Sequence, residues 1–288
     1  MFTERKGPLM PHIRLSYMPL VTYPDVVPAE PVTAAISLAE RLGCELHATT
    51  FSVDIPAMSS PLGGMLINVA ELVQTTEDNS RANCRRLQDL VLQHAGPAIK
   101  AECTSRHLPA GVAGDAAANE ARYHDFSLLP WAKDMLVIQE FAQAVIFASG
   151  RPAVLVPPSA GRVPVRHLAV AWDGSRVAAR ALADAMMFVD EQTQLTVLTV
   201  QDEKQLSRQD LGQTLALSLK KRGLRAEAQN VSLDGRSIAL ALQEAALTAG
   251  ADMLVMGAFG HSRIRDFILG GATKGVFADL RLPVLLSH

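Results

Sequence analysis

Short apolar runs alternate with longer amphipathic segments along this sequence, and the pattern occurs twice in its 288 residues. The short runs have the length and aliphatic composition of buried strands, and the longer segments repeat their apolar residues at helical spacing. Strands that alternate with helices form parallel sheets covered on both faces. The predicted strands are residues 12–20, 45–53, 101–108, 125–129 and 153–156, then 168–172, 194–200, 224–231, 252–256 and 283–286. We therefore predict an α/β fold with two doubly wound five-stranded parallel sheets in tandem.

The two halves align with each other at their strands. Aligning Asp125 with Asp252, at the start of the fourth strands, places Pro130 opposite Gly257. The second and fifth strands of the halves align as well. The halves are therefore interpreted as repeats of one architecture.

The boundary between the repeats is predicted from composition. Residues 157–161 read Pro-Pro-Ser-Ala-Gly, which is typical of a linker. A chain of this length suits two domains of about 140 residues each. We therefore expect a first domain at residues 1–158 and a second at residues 159–288.

A glycine-containing segment follows the fourth strand of the second half. It contains Gly257 and Gly260, then nine further residues, then Gly270 and Gly271. A buried strand precedes the segment, and an amphipathic stretch at residues 274–280 follows it. Glycines let backbone N–H groups approach an anion, and a helix start adds unpaired donors and the positive end of its dipole. The segment therefore predicts a phosphate site.

This spacing, Gly-x-x-Gly, nine residues, Gly and a small residue, resembles the nucleotide-binding signature of the universal stress protein family. The second half matches the family well, and the first half matches in layout only. The resemblance implies strand order 3-2-1-4-5 in each half and a ligand crevice between the first and fourth strands. It also implies a regulatory protein that binds ATP, ADP or AMP, with or without Mg²⁺ at the phosphates. Antiparallel pairing of the two fifth strands within one chain, and association into a homodimer, are further expectations.

The resemblance assigns roles to eight residues of the second half. Asp173 matches the aspartate that binds ribose or adenine, although its carboxylate also suits the N-cap of a helix starting near Ser175. Val200 matches the position that packs on adenine, and Met256 the one whose backbone faces the base. The positions that match the phosphate-binding part of the signature are Gly257, Gly260, Gly270, Gly271 and Thr273.

Gly271 departs from the family, which usually has serine or threonine at this position. The lost hydroxyl–phosphate hydrogen bond is worth about 0.5–1.5 kcal/mol, and more when the acceptor is charged. Thr273 offers a second hydroxyl nearby. Weaker binding of a triphosphate, a preference for AMP or ADP, and loss of nucleotide binding all remain open.

The first half lacks the glycine segment. It has 22 residue steps from Pro130 to Pro152, whereas the second half has 26 steps from Gly257 to Pro283. A Pro130-Trp131 pair replaces Gly-x-x-Gly, so one N–H is missing and an indole is expected in the space of the anion. We therefore predict a single nucleotide site, in the second half.

Charge and composition argue against several classes of protein. A net charge of −2 gives no electrostatic reason to expect nucleic acid or an acidic membrane as a partner. A cytoplasmic protein is expected, because no apolar stretch reaches about 18 residues and a signal peptide is not evident. The three cysteines lack the spacing of a metal site and are interpreted as reduced thiols. No catalytic motif is recognisable, so an enzyme is not the first interpretation.

Two other functions stay open. One is a tandem interaction scaffold in the stress response that has lost its nucleotide, with a functional surface such as residues 54–64. The other is a weak ATPase of the wider adenine-nucleotide α-hydrolase class, although the sequence shows no general base for it.

Overall fold

A computed structural model describes residues 13–56, 69–97, 99–160, 164–201, 210–258, 275–276 and 278–288. Within these residues ten strands form one sheet, and seven α-helices connect and cover them. The strands are β1 (Arg14–Val21), β2 (Cys44–Asp54), β3 (Ala101–Pro109), β4 (Phe126–Pro130), β5 (Ala153–Val156), β6 (His167–Ala171), β7 (Gln194–Val200), β8 (Arg225–Val231), β9 (Met253–Gly257) and β10 (Val284–Ser287). The helices are α1 (Ala29–Leu42), α2 (Val69–His94), α3 (Ala113–Ala121), α4 (Leu136–Ala148), α5 (Arg176–Ala185), α6 (Leu211–Lys221) and α7 (Ile238–Thr248).

The sheet has the order β3-β2-β1-β4-β5-β10-β9-β6-β7-β8. Counted from its own first strand, each half has the order 3-2-1-4-5 with all neighbours parallel. The predicted fold class and strand order are therefore confirmed. The two five-stranded sets form one continuous sheet, because β5 and β10 lie side by side and antiparallel, with Leu155 opposite Val284.

The central strands are apolar because both of their faces are covered. Every residue of β4, β5 and β10 is buried, and these strands contain mainly Val, Leu and Ala. Continuous apolar runs of this kind are typical of parallel strands with helices on both sides. By contrast β3, at one edge of the sheet, exposes six of its nine residues.

Asp125 and Asp252 occupy equivalent places in the two halves. The Asp125 carboxylate accepts a hydrogen bond from the backbone N–H of Leu15 at 2.8 Å. The Asp252 carboxylate accepts from the N–H groups of Arg166 and His167, both at 2.9 Å. β4 and β9 each begin and end one residue later than predicted, so both aspartates lie directly before their strands. The alignment of Asp125 with Asp252 that the sequence suggested therefore agrees with their equivalent places in the structure.

The halves also contact each other beside the shared sheet. Arg14 in β1 donates a hydrogen bond to the carbonyl of Met187 at 2.7 Å, and its guanidinium lies over the Phe188 ring at 5.9 Å. Phe126 meets the same ring edge-on, with centroids 5.0 Å apart. Residues 186–188 form a 3₁₀ turn at the end of α5.

Candidate functional site

The strand order reverses between β6 and β9. These two strands are parallel neighbours, with Leu168 opposite Met253 and Val170 opposite Val255. From this pair the chain continues to β7 on one side and to β10 on the other. The carboxyl ends of β6 and β9 therefore meet at one edge of the sheet, where a crevice forms in doubly wound folds.

Asp173 lies just beyond the end of β6 and is half-buried. Its Oδ1 accepts a hydrogen bond from the backbone N–H of Ser175 at 2.8 Å, across a turn in which Gly174 has a φ of +76°. Ser175 is the N-cap of α5, since its hydroxyl accepts from the N–H of Ala178 at 3.2 Å. Asp173 is therefore not the N-cap itself. Within the described residues its Oδ2 accepts no hydrogen bond.

Gly257 ends β9 and packs tightly against the first turn of α5. A Cβ at this position would lie 2.6 Å from the carbonyl carbon of Val177 and 2.8 Å from the nitrogen of Ala178. These are backbone atoms, which cannot move aside as a flexible side chain can. The absence of a side chain at Gly257 is therefore required by helix–strand packing, a reason different from the anion approach that the sequence suggested. The same contact brings the end of β9 close to the turn that holds Asp173.

Both ends of the glycine segment are held by packing and hydrogen bonds. The N–H of Ala258 donates to the carbonyl of Ser287 at 2.7 Å, which extends the β9–β10 ladder by one residue. After the segment, residues 275, 276 and 278 are helical, and a Cβ on Gly275 would lie 2.5 Å from Cβ of Ala239 in α7. The predicted phosphate-binding residues Gly260, Gly270, Gly271 and Thr273 lie outside the described residues.

Gln243 in α7 fixes the backbone that follows this helical turn. Its side chain, 1% exposed, donates to the carbonyl of Asp279 at 2.7 Å and accepts from the N–H of Arg281 at 2.8 Å. Beside it Glu244 pairs with Arg236 at 2.8 Å and with Arg281 at 3.0 Å. The hydrogen bond from Arg236 lowers the pKa of the Glu244 carboxyl.

Apolar side chains lie at the ends of the neighbouring strands. Val200 ends β7 with 7% of its surface exposed, and Met256, the residue before the glycine segment, is 4% exposed. Trp172 is half-buried directly before Asp173, and its backbone N–H donates to the carbonyl of Leu198 at 2.8 Å. Sequence reasoning missed Trp172 as a residue of this crevice. Its signal was an aromatic residue between an apolar strand and a strand-end carboxylate.

The corresponding crevice of the first half has a different character. Trp131 is 2% exposed, and its backbone N–H donates to the carbonyl of Val156 at 2.9 Å. A cavity of about 20 Å³ lies beside Pro130, with an entirely apolar lining that includes Pro19 and Phe141. That volume holds about one water molecule, and the lining gives a water few partners. The described residues beside Pro130 therefore offer a small apolar space without a charged side chain or a hydroxyl in its lining.

The fold defines a class, the doubly wound α/β proteins with strand order 3-2-1-4-5, present in this chain as a tandem pair. The second half is similar to a known family: residues 164–288 match the model of the universal stress protein family.

Solved structures resemble the chain over most of its length. A universal stress protein from Archaeoglobus fulgidus DSM 4304 has a TM-score of 0.68 at 16% identity, covering 94% of this chain and 97% of that one. A putative universal stress protein from Pseudomonas aeruginosa UCBPP-PA14 has a TM-score of 0.53 at 11% identity, covering 96% and 93%. At these identities the likeness shows the fold alone. Among curated proteins, none matches the chain.

Two further properties concern membranes and metals. None of the helices in the described ranges combines the length and apolar character needed to cross a membrane. Over the same ranges, no group of three or more His, Cys, Asp or Glu side chains is arranged to hold a metal ion.

Proposed function

We propose that the second half of this protein binds an adenine nucleotide, ATP, ADP or AMP, in the crevice between β6 and β9. One observation carries the proposal: the Asp173 carboxylate, whose Oδ2 accepts no hydrogen bond from the described residues, and the start of the glycine segment at Gly257 lie at neighbouring strand ends. A carboxylate there suits hydroxyl or amine donors of a nucleoside. A glycine segment that enters a helix suits the phosphates.

The other assigned residues complete the proposed site. Val200 and Met256 supply apolar surface and backbone at the strand ends, where the adenine ring would lie. Gly260, Gly270, Gly271 and Thr273 would supply N–H groups and one hydroxyl to the phosphates. A Mg²⁺ ion would be held mainly by phosphate oxygens and water, as is usual for this ion.

The proposed role is regulatory rather than catalytic, in a cytoplasmic stress response. The match of residues 164–288 to the universal stress protein family supports the stress-response role. A nucleotide that binds one conformation better than another shifts the protein toward that conformation, and no chemical step is needed. Because the two halves share one sheet, such a shift in the second half would reach the first.

Isothermal titration with ATP, ADP and AMP tests the proposal, with GTP to test selectivity for adenine. The informative variant is Asp173→Asn, whose amide oxygen still accepts from Ser175 while the negative charge and an acceptor are lost. We expect at least tenfold weaker nucleotide binding, with unfolding close to that of the parent protein. Asp115→Ala, which removes an exposed carboxylate in α3 of the first half, is the matched control. A folded protein that gives no heat with about 1 mM of any adenine nucleotide, well above micromolar affinity, contradicts the proposal.

The packing of Gly257 favours a second candidate, a tandem scaffold that works without nucleotide. Gly257 is explained by its close contact with the backbone of Val177 and Ala178, so this residue does not require an anion. If the scaffold is correct, Asp173→Asn and the parent protein will have the same cellular effect. The nucleotide proposal predicts loss of that effect in the variant.

A further inference from the structure

The strand β3 forms one edge of the ten-stranded sheet. Among the described strands β2 is its only neighbour, so one side of its backbone faces away from the sheet. The residues from Thr104 to His107 are all exposed. A strand of nine residues with an open edge is a template for pairing with another strand.

The register with β2 identifies the backbone groups at the open edge. The N–H of Leu46 donates to the carbonyl of Lys100 at 2.9 Å, and Leu46 lies opposite Ala101. In a parallel ladder alternate residues direct their N–H and C=O groups to opposite sides, so the even-numbered residues of β3 bond to β2. The odd-numbered residues, from Ala101 to His107, direct theirs outward. Within the described part of the chain no hydrogen bond reaches these outward groups.

The even-numbered residues present a charge pattern on one face of β3. Side chains alternate between faces along a strand, so Glu102, Thr104 and Arg106 share a face. The Glu102 and Arg106 side chains are 63% and 57% exposed. Glu102 pairs with Lys100 of its own chain at 2.7 Å, and both side chains are exposed, so this pair exchanges partners at little cost. Arg106 lies 3.8 Å from Glu120, whose side chain is 14% exposed, so this longer contact leaves the Arg106 guanidinium accessible at the edge.

We propose that two copies of this chain associate through their β3 strands, paired antiparallel about a twofold axis at Thr104. In this arrangement Glu102 of each copy lies opposite Arg106 of the other, and the two Thr104 side chains face each other. Opposite charges stabilise antiparallel strands when they lie directly across from each other, while the Thr104 hydroxyl keeps its own-chain partner Thr49 at 2.9 Å. The outward groups then form hydrogen-bonded pairs, Ala101 with His107 and Cys103 with Ser105, which is the alternation that an antiparallel ladder requires.

The charges distinguish this register from its neighbours. An axis at Cys103 would place Lys100 opposite Arg106. Axes at Glu102 or Arg106 would place like charges directly opposite each other, and an axis at Ser105 would leave both charges without an opposite partner. Among the five positions of the twofold axis at residues 102 to 106, only the axis at Thr104 places oppositely charged side chains across from each other, at two sites, and places no like charges across from each other.

Charge reversal with complementation tests the interface. We expect sedimentation velocity to show twice the 30.9 kDa of one chain for the parent protein. Glu102→Arg and Arg106→Glu should each weaken dimerisation at least tenfold, because each places like charges opposite. An equimolar mixture of the two variants should recover the dimer mass, since every facing pair is then opposite in charge, and the double variant should dimerise by itself. Arg225→Glu, on the exposed face of the other edge strand β8, is the matched control and should leave the dimer intact.

Three results would overturn the proposal. In the first, the parent protein stays monomeric at every concentration reached. In the second, both Glu102→Arg and Arg106→Glu still form the dimer. In the third, an equimolar mixture of these two variants stays monomeric. Circular dichroism of each variant distinguishes loss of association from loss of folding.

A cysteine cross-link tests the register independently of charge. In a Cys103→Ala background, Thr104→Cys places two thiols across the axis, about 4.5 Å apart between Cα atoms, a separation that a disulfide spans. A mild oxidant should then convert the protein to a covalent dimer on a non-reducing gel. Glu102→Cys in the same background is the control, because its two copies lie about 13 Å apart along the strands, four residues out of register. Equal cross-linking of the two variants would contradict this register.

Discussion

Replacing Gly257 by alanine tests the packing that brings β9 to the first turn of α5. The added Cβ would lie 2.6 Å from the carbonyl carbon of Val177 and 2.7 Å from its Cγ2. Overpacking of a dense interior costs about 1–3 kcal/mol, and contacts with backbone place this change in the upper part of that range, about 2–3 kcal/mol. For domains of this size each kcal/mol lowers the melting temperature by about 2–4 °C, so a fall of roughly 4–12 °C is expected.

Urea denaturation and differential scanning calorimetry measure the effect of Gly257→Ala. The urea midpoint should fall while the slope of the free energy against urea stays constant, as for a change in native packing. Gly96→Ala is the control, because its Cβ would meet only the mobile carboxylate end of Glu40, at 3.0 Å, and should change stability by less than about 0.5 kcal/mol. Equal stability of Gly257→Ala and the parent protein would refute the packing of α5 on β9, and with it the described shape of the crevice.

Three other predictions concern the same fold. Gln243→Ala should cost about 1–3 kcal/mol in urea denaturation, because two hydrogen bonds between its side chain and the backbone after the glycine segment are lost; an unchanged stability would mean that Gln243 does not hold that backbone. Under the nucleotide proposal ATP should change tryptophan emission through Trp172, and the change should disappear in Trp172→Phe but persist in Trp131→Phe, since Trp131 is buried in the first half. Burial lowers the pKa of His124 below its ordinary 6.5, with a smaller effect of neighbouring His47, so the unfolded chain binds more protons and stability should fall as pH drops below about 6.5. The urea midpoint from pH 7 to pH 5 should fall less steeply in His124→Gln, and identical slopes would contradict this.

Periodicity predicted most of the fold because the central strands are buried on both faces. The bounds predicted for the strands at 153–156 and 194–200 agree with β5 and β7 to the residue. Elsewhere the ends of strands depend on side chains that periodicity does not describe. Asp125 and Asp252 were predicted as the first residues of the fourth strands, but β4 and β9 begin one residue later, and both carboxylates accept hydrogen bonds from the backbone at the start of the neighbouring first strand.

The candidate site was predicted less completely than the fold. The neighbouring positions of β6 and β9 follow from the topology, so the meeting of their ends was predictable. The bond from Ser175 to Asp173 depends on the turn at Gly174, and the tight contact of Gly257 depends on the approach of α5. Neither distance is encoded in residue spacing. The roles of the glycines from 260 onward and of Thr273 remain predictions.

The strand β10 of the second repeat joins the two repeats, because it pairs with β9 of its own repeat on one side and with β5 of the first repeat on the other. In a fragment that ends near residue 158, β5 would be an exposed edge strand of four apolar residues. Such a strand is prone to pair with other chains and to aggregate. Residues 159–288 alone would expose β10 in the same way. Each repeat thus covers the open strand edge of the other, and we expect the two repeats to unfold together in one cooperative transition.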